Sequence, residues 1–281
     1  MKKILLMRFL FSLLCVAFSA SLTGQYYYND ILSNRDANSR FQLLRKYRIT
    51  RITAASFEAD NTPTEGFSLT ETVSLDGKKS TLQTADISGQ TSETKRQYEF
   101  NRIRRSQSYS HGIENDVQYQ YTSDGKLQTI RFITTDTALH TTQTEQHDWH
   151  YDTKGQPDFA WIIKNNSDST FLQLVRDAND HIVEEHWMRK KMETGAYYYY
   201  YDSAGRVTDI VRYNNRLKKL LPDFLYEYDA DGRVASMTQV FSSNSSYIVW
   251  KYRYNPKGLK QEESGFDKQK NFLGKMVYTY E

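Results

Sequence analysis

The feature that most limits how this chain can fold is a unit of about 26 residues that recurs through its second half. Its turns read Tyr121-Thr122-Ser123-Asp124-Gly125, Tyr151-Asp152-Thr153-Lys154-Gly155, Tyr201-Asp202-Ser203-Ala204-Gly205, Tyr228-Asp229-Ala230-Asp231-Gly232 and Tyr254-Asn255-Pro256-Lys257-Gly258. A degenerate copy, Arg176-Asp177-Ala178-Asn179-Asp180, falls between the second and third, and Tyr280-Glu281 begins another. The leading positions 121, 151, 176, 201, 228, 254 and 280 are spaced by 30, 25, 25, 27, 26 and 26 residues. Such a chain stacks one supersecondary unit on the next.

Each unit reads as a β-hairpin. An aromatic precedes the leading position by two residues in Tyr119, Trp149, Tyr199, Tyr226, Tyr252 and Tyr278, with Leu174 in the degenerate copy. A spacing of two puts both rings on one face of a strand. After each turn an apolar residue (Leu127, Ile182, Val207, Val234, Leu259) opens a return strand. Asp or Asn at the start of the turn can accept a backbone N–H, and glycine four residues after the tyrosine can take positive φ beside a bulge. Asp152, Gly155, Asp202, Gly205, Asp229, Gly232, Asn255 and Gly258 are therefore assigned to turn structure.

Upstream the unit blurs. Val73-Ser74-Leu75-Asp76-Gly77 reads as an earlier turn, and Tyr98-Glu99-Phe100-Asn101 lies about one period on without the glycine. Tyr26-Tyr27-Tyr28-Asn29-Asp30 opens a different segment, in which residues 36–44 are expected to form a short helix that caps the first repeat.

The N-terminus reads as an export signal. Lys2, Lys3 and Arg8 precede or flank an apolar run over residues 9–20, and Ala17-Phe18-Ser19 supplies small residues for cleavage. That run is shorter than the roughly 20 residues of a membrane-spanning helix. Cys15, the only cysteine, lies inside it, and Leu14 before it argues against lipidation. A cleaved chain then has no cysteine, which excludes disulfides, thiolate nucleophiles and cysteine metal sites. Without Lys2, Lys3 and Arg8 the 37 basic residues fall to 34, equal to the 34 acidic ones. That balance argues against nucleic acid or an anionic membrane as partner, since both call for a clustered positive excess. Mean hydropathy is low at −0.74, but an aromatic content of 14% argues against disorder.

The Tyr-Asp-x-x-Gly-Arg-Val core at residues 201–207 and 228–234 resembles the YD repeat of the Rhs and YD-repeat proteins. The resemblance covers roughly residues 117–281, and implies antiparallel hairpins in one long sheet, a bacterial surface or secreted location and an ability to bind carbohydrate. The order of signal peptide, Tyr-Tyr-Tyr-Asn-Asp opening and YD-like hairpins is also similar to uncharacterised exported proteins of Bacteroidetes-type bacteria. The expected organisation is a signal peptide over 1–25, cleaved near 19–25, a cap segment over 26–46, and a hairpin array over 47–281. The expected fold class is all-β, an antiparallel meander of YD-like hairpin repeats in an elongated, twisted or curved sheet with a free edge at each end.

Candidate chemistry is sparse. Residues 197–201 are five consecutive tyrosines, so Tyr197, Tyr199 and Tyr201 share one face and Tyr198 and Tyr200 the other. Tyr198 and Tyr200 are candidates for a sugar-binding platform, the alternative being a cross-strand aromatic ladder. Asp229-Ala230-Asp231-Gly232 lacks an acid at the twelfth position, where Val240 stands, so it reads as a turn and not a calcium loop. His147 and His150 point to opposite faces, as do His181 and His186, and the acid pairs Glu184-Glu185 and Glu262-Glu263 diverge in the same way. No metal site, cofactor, catalytic residue or enzyme activity is expected. The basic groups at 102–105, 189–191 and 218–219 read as solvated strand ends and loops, the alternative being anion binding. The expected function is an exported, non-catalytic protein that binds carbohydrate of the cell envelope or environment, located in the periplasm, at the surface or outside the cell. The alternative is an assembly protein that pairs with another envelope protein through a sheet edge, offered by the strand at 278–280.

Overall fold

A computed structural model describes residues 26–214, 217–241 and 246–281; the predicted signal peptide lies outside the described residues. One helix, α1 (Asn29–Lys46), precedes eighteen strands. These are β1 (Arg51–Glu58), β2 (Ser68–Val73), β3 (Lys79–Ala85), β4 (Thr91–Glu99), β5 (Arg102–Ser110) and β6 (Ile113–Tyr121). Then follow β7 (Leu127–Asp136), β8 (Thr141–Tyr151), β9 (Pro157–Lys164), β10 (Asp168–Arg176), β11 (Ile182–Arg189) and β12 (Met192–Tyr201). The last six are β13 (Val207–Asn214), β14 (Lys219–Tyr228), β15 (Val234–Phe241), β16 (Ser246–Tyr254), β17 (Lys260–Phe266) and β18 (Phe272–Tyr280).

The fold is an all-β antiparallel meander, as the hairpin reading requires, but the sheet is closed. Each strand pairs with its neighbours in sequence, and β1 pairs with both β2 and β18, in the register Ile52↔Tyr280, Ala54↔Tyr278 and Ser56↔Met276. The expectation of an elongated sheet with free ends is therefore corrected. Closure satisfies the ladder groups that two open edges would leave unpaired. The C-terminal strand that sequence offered as an edge is spent on β1, and no strand among the described residues has a free side.

Closure creates an interior, and the apolar faces turn toward it. Trp149, Ile162, Leu172, Tyr197, Tyr199 and Ile210 point inward and are buried there. The segment expected to cap the array lies inside the ring instead, and its helix runs over 18 residues. Asp30 in its first turn and Arg45 and Lys46 in its last complement the helix dipole. Phe41 and Leu44 are fully buried, and the Phe41 ring stacks on Tyr98 at 3.5 Å. Tyr26 packs on Tyr197, Tyr199 and Phe224 across the lumen.

The hairpins alternate between two rims. The Tyr-Asp turns occupy one, following the even-numbered strands, and the turn chemistry is as expected. Oδ1 of Asp152 accepts the N–H groups of Lys154 and Gln156 at 2.9 and 2.8 Å. Asp202, Asp229 and Asn255 do the same two and four residues on. Gly205 sits at φ +73°, and a bulge falls between Tyr200 and Tyr201. Asp180 fills the glycine position of the degenerate copy at φ +64°.

What the turns alone do not reveal is the role of the tyrosine. Its hydroxyl crosses to the preceding return strand and donates to a carbonyl at that strand's start. Tyr151 reaches Leu127 O (2.6 Å), Tyr201 Ile182 O (2.7 Å), Tyr228 Val207 O (2.6 Å), Tyr254 Val234 O (2.9 Å) and Tyr280 Lys260 O (2.5 Å). Tyr121 reaches Ile103 O in the same way at 2.8 Å. In the degenerate copy Arg176 takes over, donating to Pro157 O and to Asp152 Oδ2. For every one of these tyrosines but Tyr280, the residue just before the carbonyl covers the same ring. Arg206 lies over Tyr228 at 4.5 Å, Arg233 over Tyr254 at 4.8 Å, Lys126 over Tyr151 at 5.5 Å, and His181 stacks on Tyr201 at 4.6 Å. The Arg of the Tyr-Asp-x-x-Gly-Arg-Val core is thus the roof over the next hairpin's tyrosine.

Each hydroxyl latch is one half-buried hydrogen bond, which contributes on the order of 1 kcal/mol. Tyr228→Phe and Tyr254→Phe are each expected to lower unfolding stability by about that much with the fold retained. Urea midpoints of the two variants check this, and no shift in either removes the latch from the stabilising interactions.

Candidate functional site

Two places concentrate polar chemistry, one inside the ring and one on its outer wall. Inside, a polar helix is held by buried ion pairs. Glu185, fully buried on β11, accepts the backbone N–H groups of Tyr27 (2.7 Å) and Tyr28 (2.8 Å), Nε1 of Trp187 (2.7 Å) and the Tyr199 hydroxyl (2.6 Å). Burial pushes its pKa up while these donors pull it back. Four donors on two oxygens fill the carboxylate's accepting capacity, so Glu185 anchors the opening tyrosines and is not free for catalysis.

His147 on β8 is flanked by two carboxylates, with Nδ1 2.6 Å from Asp30 Oδ2 and Nε2 2.9 Å from Glu145 Oε1. Both ring nitrogens facing acceptors defines an imidazolium. Burial alone would lower its pKa, but Asp30 and Glu145 outweigh that and raise it to about 9. Trp149 Nε1 also donates to Asp30 at 3.1 Å, and Lys164 sits 3.3 Å from Glu145. Further along α1, Asn34 donates to the Tyr121 hydroxyl, Asn38 accepts from Ile103 N–H, and Arg40 pairs with Glu71 at 2.6 Å. Arg40 and Arg96 hold the Glu71 carboxyl below its usual range against a burial effect that would raise it. These contacts come from strands between β2 and β11, and seat the helix as a plug.

Sequence reasoning did not single out Asn38, Arg40, Glu71 or Glu145, and gave no interior role to Asp30 or Glu185. A signal was present in the diverging pair Glu184-Glu185, which requires one acid to face inward. Glu184 faces out beside His186 (2.6 Å) while Glu185 faces in, and Glu262 and Glu263 split likewise. His150 faces out and stacks on Phe159 at 4.3 Å, on the opposite face to His147. Among the described residues no group of three or more His, Cys, Asp or Glu is arranged so that it could hold a metal ion.

The outer wall has two characters. Over β2 to β6 most outward positions are polar, as in Thr70, Thr81, Gln83, Glu93, Lys95 and Gln118, with Tyr109 an exposed aromatic among them. Over β9 to β13 aromatic residues join the polar ones: Trp161 packs on Phe171 at 5.0 Å and Phe171 on Phe159 at 5.5 Å, and Tyr198, Tyr200 and Tyr213 follow on β12 and β13. Tyr198 and Tyr200 are thus brought to one outer face, opposite Tyr197, Tyr199 and Tyr201, which enter the core. Tyr198 is half-buried against His186, and Tyr200 is 48% exposed.

Tyr200 lines a cleft of about 620 Å³ at the Tyr-Asp rim, between the turns that follow β10 and β12. Asp177, Asn179, His181, Asp202 and Ser203 supply its polar lining, beside the inward-facing Tyr199 and Tyr201. Oδ1 of each Asp is committed to its own turn. The Asn179 amide and Ser203 hydroxyl have no side-chain partner among the described residues. Asp152, Gly155, Asp229, Gly232, Asn255 and Gly258 lie in turns outside this cleft.

No protein-family model matches this chain, and no curated protein does. Among solved structures, a porin-like protein from Bacteroides uniformis ATCC 8492 is similar over 83% of this chain and 96% of its own, at 7% identity and a TM-score of 0.40. A porin-like protein from Bacteroides vulgatus ATCC 8482 is similar over 83% of this chain and 98% of its own, at 12% identity and a TM-score of 0.31. A TcdB2-TccC3-Cdc42 structure is similar over 80% of this chain and 18% of that one, at 12% identity and a TM-score of 0.31. No helix among the described residues is long and apolar enough to cross a membrane, which has no bearing on strands. The chain's own surfaces carry the functional reading.

The His147 pairing makes the plug sensitive to pH. Its folded pKa stands above the usual 6.5, so the stabilisation is complete below pH 6.5 and is lost as pH rises through about 9. Melting temperatures at pH 6 and pH 9.5 should fall more for the natural chain than for His147→Gln. Equal falls would show that His147 is not charged in the folded state.

Proposed function

We propose that this chain is an exported, non-catalytic β-barrel that binds carbohydrate at the cleft on the outer wall beside Tyr200. The observation that carries the reading is the composition of that cleft: one exposed ring, one unpartnered amide and one unpartnered hydroxyl, with carboxylates and an imidazole at its margin. A tyrosine ring can cover the apolar face of a sugar while amide and hydroxyl groups bond to its equatorial oxygens. The turn chemistry and the Arg roof support the YD-repeat resemblance, which points the same way.

The outer wall supports a barrel that stands in water with a filled interior. A lipid-facing barrel needs an apolar outward band about 25 Å tall, and the Thr, Gln, Glu and Lys of β2 to β6 do not provide one. Periplasmic, surface and secreted locations all accord with this. Assembly through a sheet edge has no strand to use among the described residues, so a protein partner would have to dock on a face.

Titration of the protein's Trp and Tyr fluorescence with bacterial and plant polysaccharides tests the reading. One glycan should give a saturable change, and Tyr200→Ala should weaken its binding about tenfold or more, a loss of roughly 1.4 kcal/mol, with the melting temperature unchanged. Tyr198→Ala should weaken it less, because that ring is half-buried against His186. Absence of response across the panel overturns the proposal.

A further inference from the structure

The rim opposite the Tyr-Asp turns carries a cluster that the overall charge balance conceals. Lys190 and Lys191 join β11 to β12, Lys218 precedes β14, and Lys219 opens it. The two pairs stand about one repeat apart in sequence, and the repeat is what brings them together. Because β12 pairs with β13 and β13 with β14, Lys191 and Lys219 stand two strand spacings apart across the sheet and about four residues apart along it, on the order of 15 Å. None of the four lysines forms an ion pair among the described residues. The acids nearby are engaged elsewhere: Glu193 Oε2 is 3.0 Å from His186 Nδ1, and Asp168 binds Arg189.

Apolar side chains stand exposed on the same tips. Met192 is 66% exposed, Leu217 55% and Leu220 44%, and Leu220 pairs across the strands with Tyr213. The turn itself is costly for the residues that make it. Arg189 pairs with Met192, so Lys190 and Lys191 alone reverse the chain, at φ +47° and +66°. That two-residue geometry favours Asn-Gly, and lysine is an unfavourable occupant. The chain meets the same demand with His111-Gly112 between β5 and β6. Nothing in the packing of the barrel calls for cations at positions 190 and 191.

We infer that these two tips dock the protein on an anionic phospholipid surface. Met192, Leu217 and Leu220 enter the headgroup region, and the four lysines face the lipid phosphates. Exposed apolar groups ringed by unpaired basic ones are the pattern of an interfacial site, and neither half alone would hold at physiological salt. Docked this way, the barrel turns its Tyr-Asp rim, and Tyr200 with it, away from the bilayer.

Co-sedimentation with vesicles tests the inference, using phosphatidylcholine alone and phosphatidylcholine with about 30% phosphatidylglycerol at about 0.1 M salt, where charge attraction still reaches roughly 10 Å. The protein should pellet with the anionic vesicles and stay in solution with the neutral ones. Lys190→Asn with Lys191→Gly should lower that binding about tenfold while leaving the fold as stable or more so, since the turn now has the residues it favours. Lys218→Glu with Lys219→Glu should abolish it. Equal binding to both vesicles, no binding to either, or unchanged binding in the Asn-Gly variant overturns the inference.

Discussion

The structure depends on one pairing: β18 against β1. An antiparallel meander of hairpins can remain open, with an unpaired edge at each end, or close on itself. Here the pairing of Ile52 with Tyr280 and Ser56 with Met276 closes it. Closure removes every edge among the described strands and commits the chain to an interior. An eighteen-stranded ring is wider than wall side chains alone can fill. The N-terminal segment fills it, and because α1 is polar, the wall meets it with acids and imidazole as well as rings.

The rim then repeats one device. In the Tyr-Asp hairpins a tyrosine ends the first strand and its hydroxyl bonds to the start of the preceding return strand, and a cation or imidazole covers the rings of Tyr121, Tyr151, Tyr201, Tyr228 and Tyr254. This ties each hairpin to the one before it, across a bulge where the ladder is interrupted. The unit that lacks tyrosine keeps the tie through Arg176, which reaches the same kind of carbonyl with a guanidinium. What is preserved along the array is therefore the bond at the strand start, more than the ring that supplies it.

The two ends of the barrel and the two sides of its wall are unlike one another. Polar strands over β2 to β6 face solvent, aromatic ones over β9 to β13 expose Trp161 and Tyr200, and unpaired lysines crowd the far tips of β11 to β14. The cleft beside Tyr200 and a basic apolar tip thus occupy opposite ends of the same strands. With strands of eight to ten residues at about 3.3 Å each, the two are separated by roughly 30 Å.

Much of this was legible in the chain. The spacing of the Tyr-Asp turns determined the hairpins, the alternation of Tyr197 to Tyr201 determined which rings enter the core, and Asp-x-x-Gly determined the turn geometry, because each of these is set by local backbone and pleat. The interior seat of residues 26–46 was not legible: Asn38 and Arg40 read as part of a short capping helix, and Asp30 as part of the segment before it, until Ile103, Glu71 and His147 are placed beside them. Nor was the clustering of Lys190-Lys191 with Lys218-Lys219, which a chain-wide charge count averages away. Closure itself was beyond sequence, since Tyr278 and Tyr280 have the same local pattern whether they end a sheet or meet β1. Local rules fix what each hairpin is. Only the accumulated twist and bend of the whole array decides whether its last strand returns to its first.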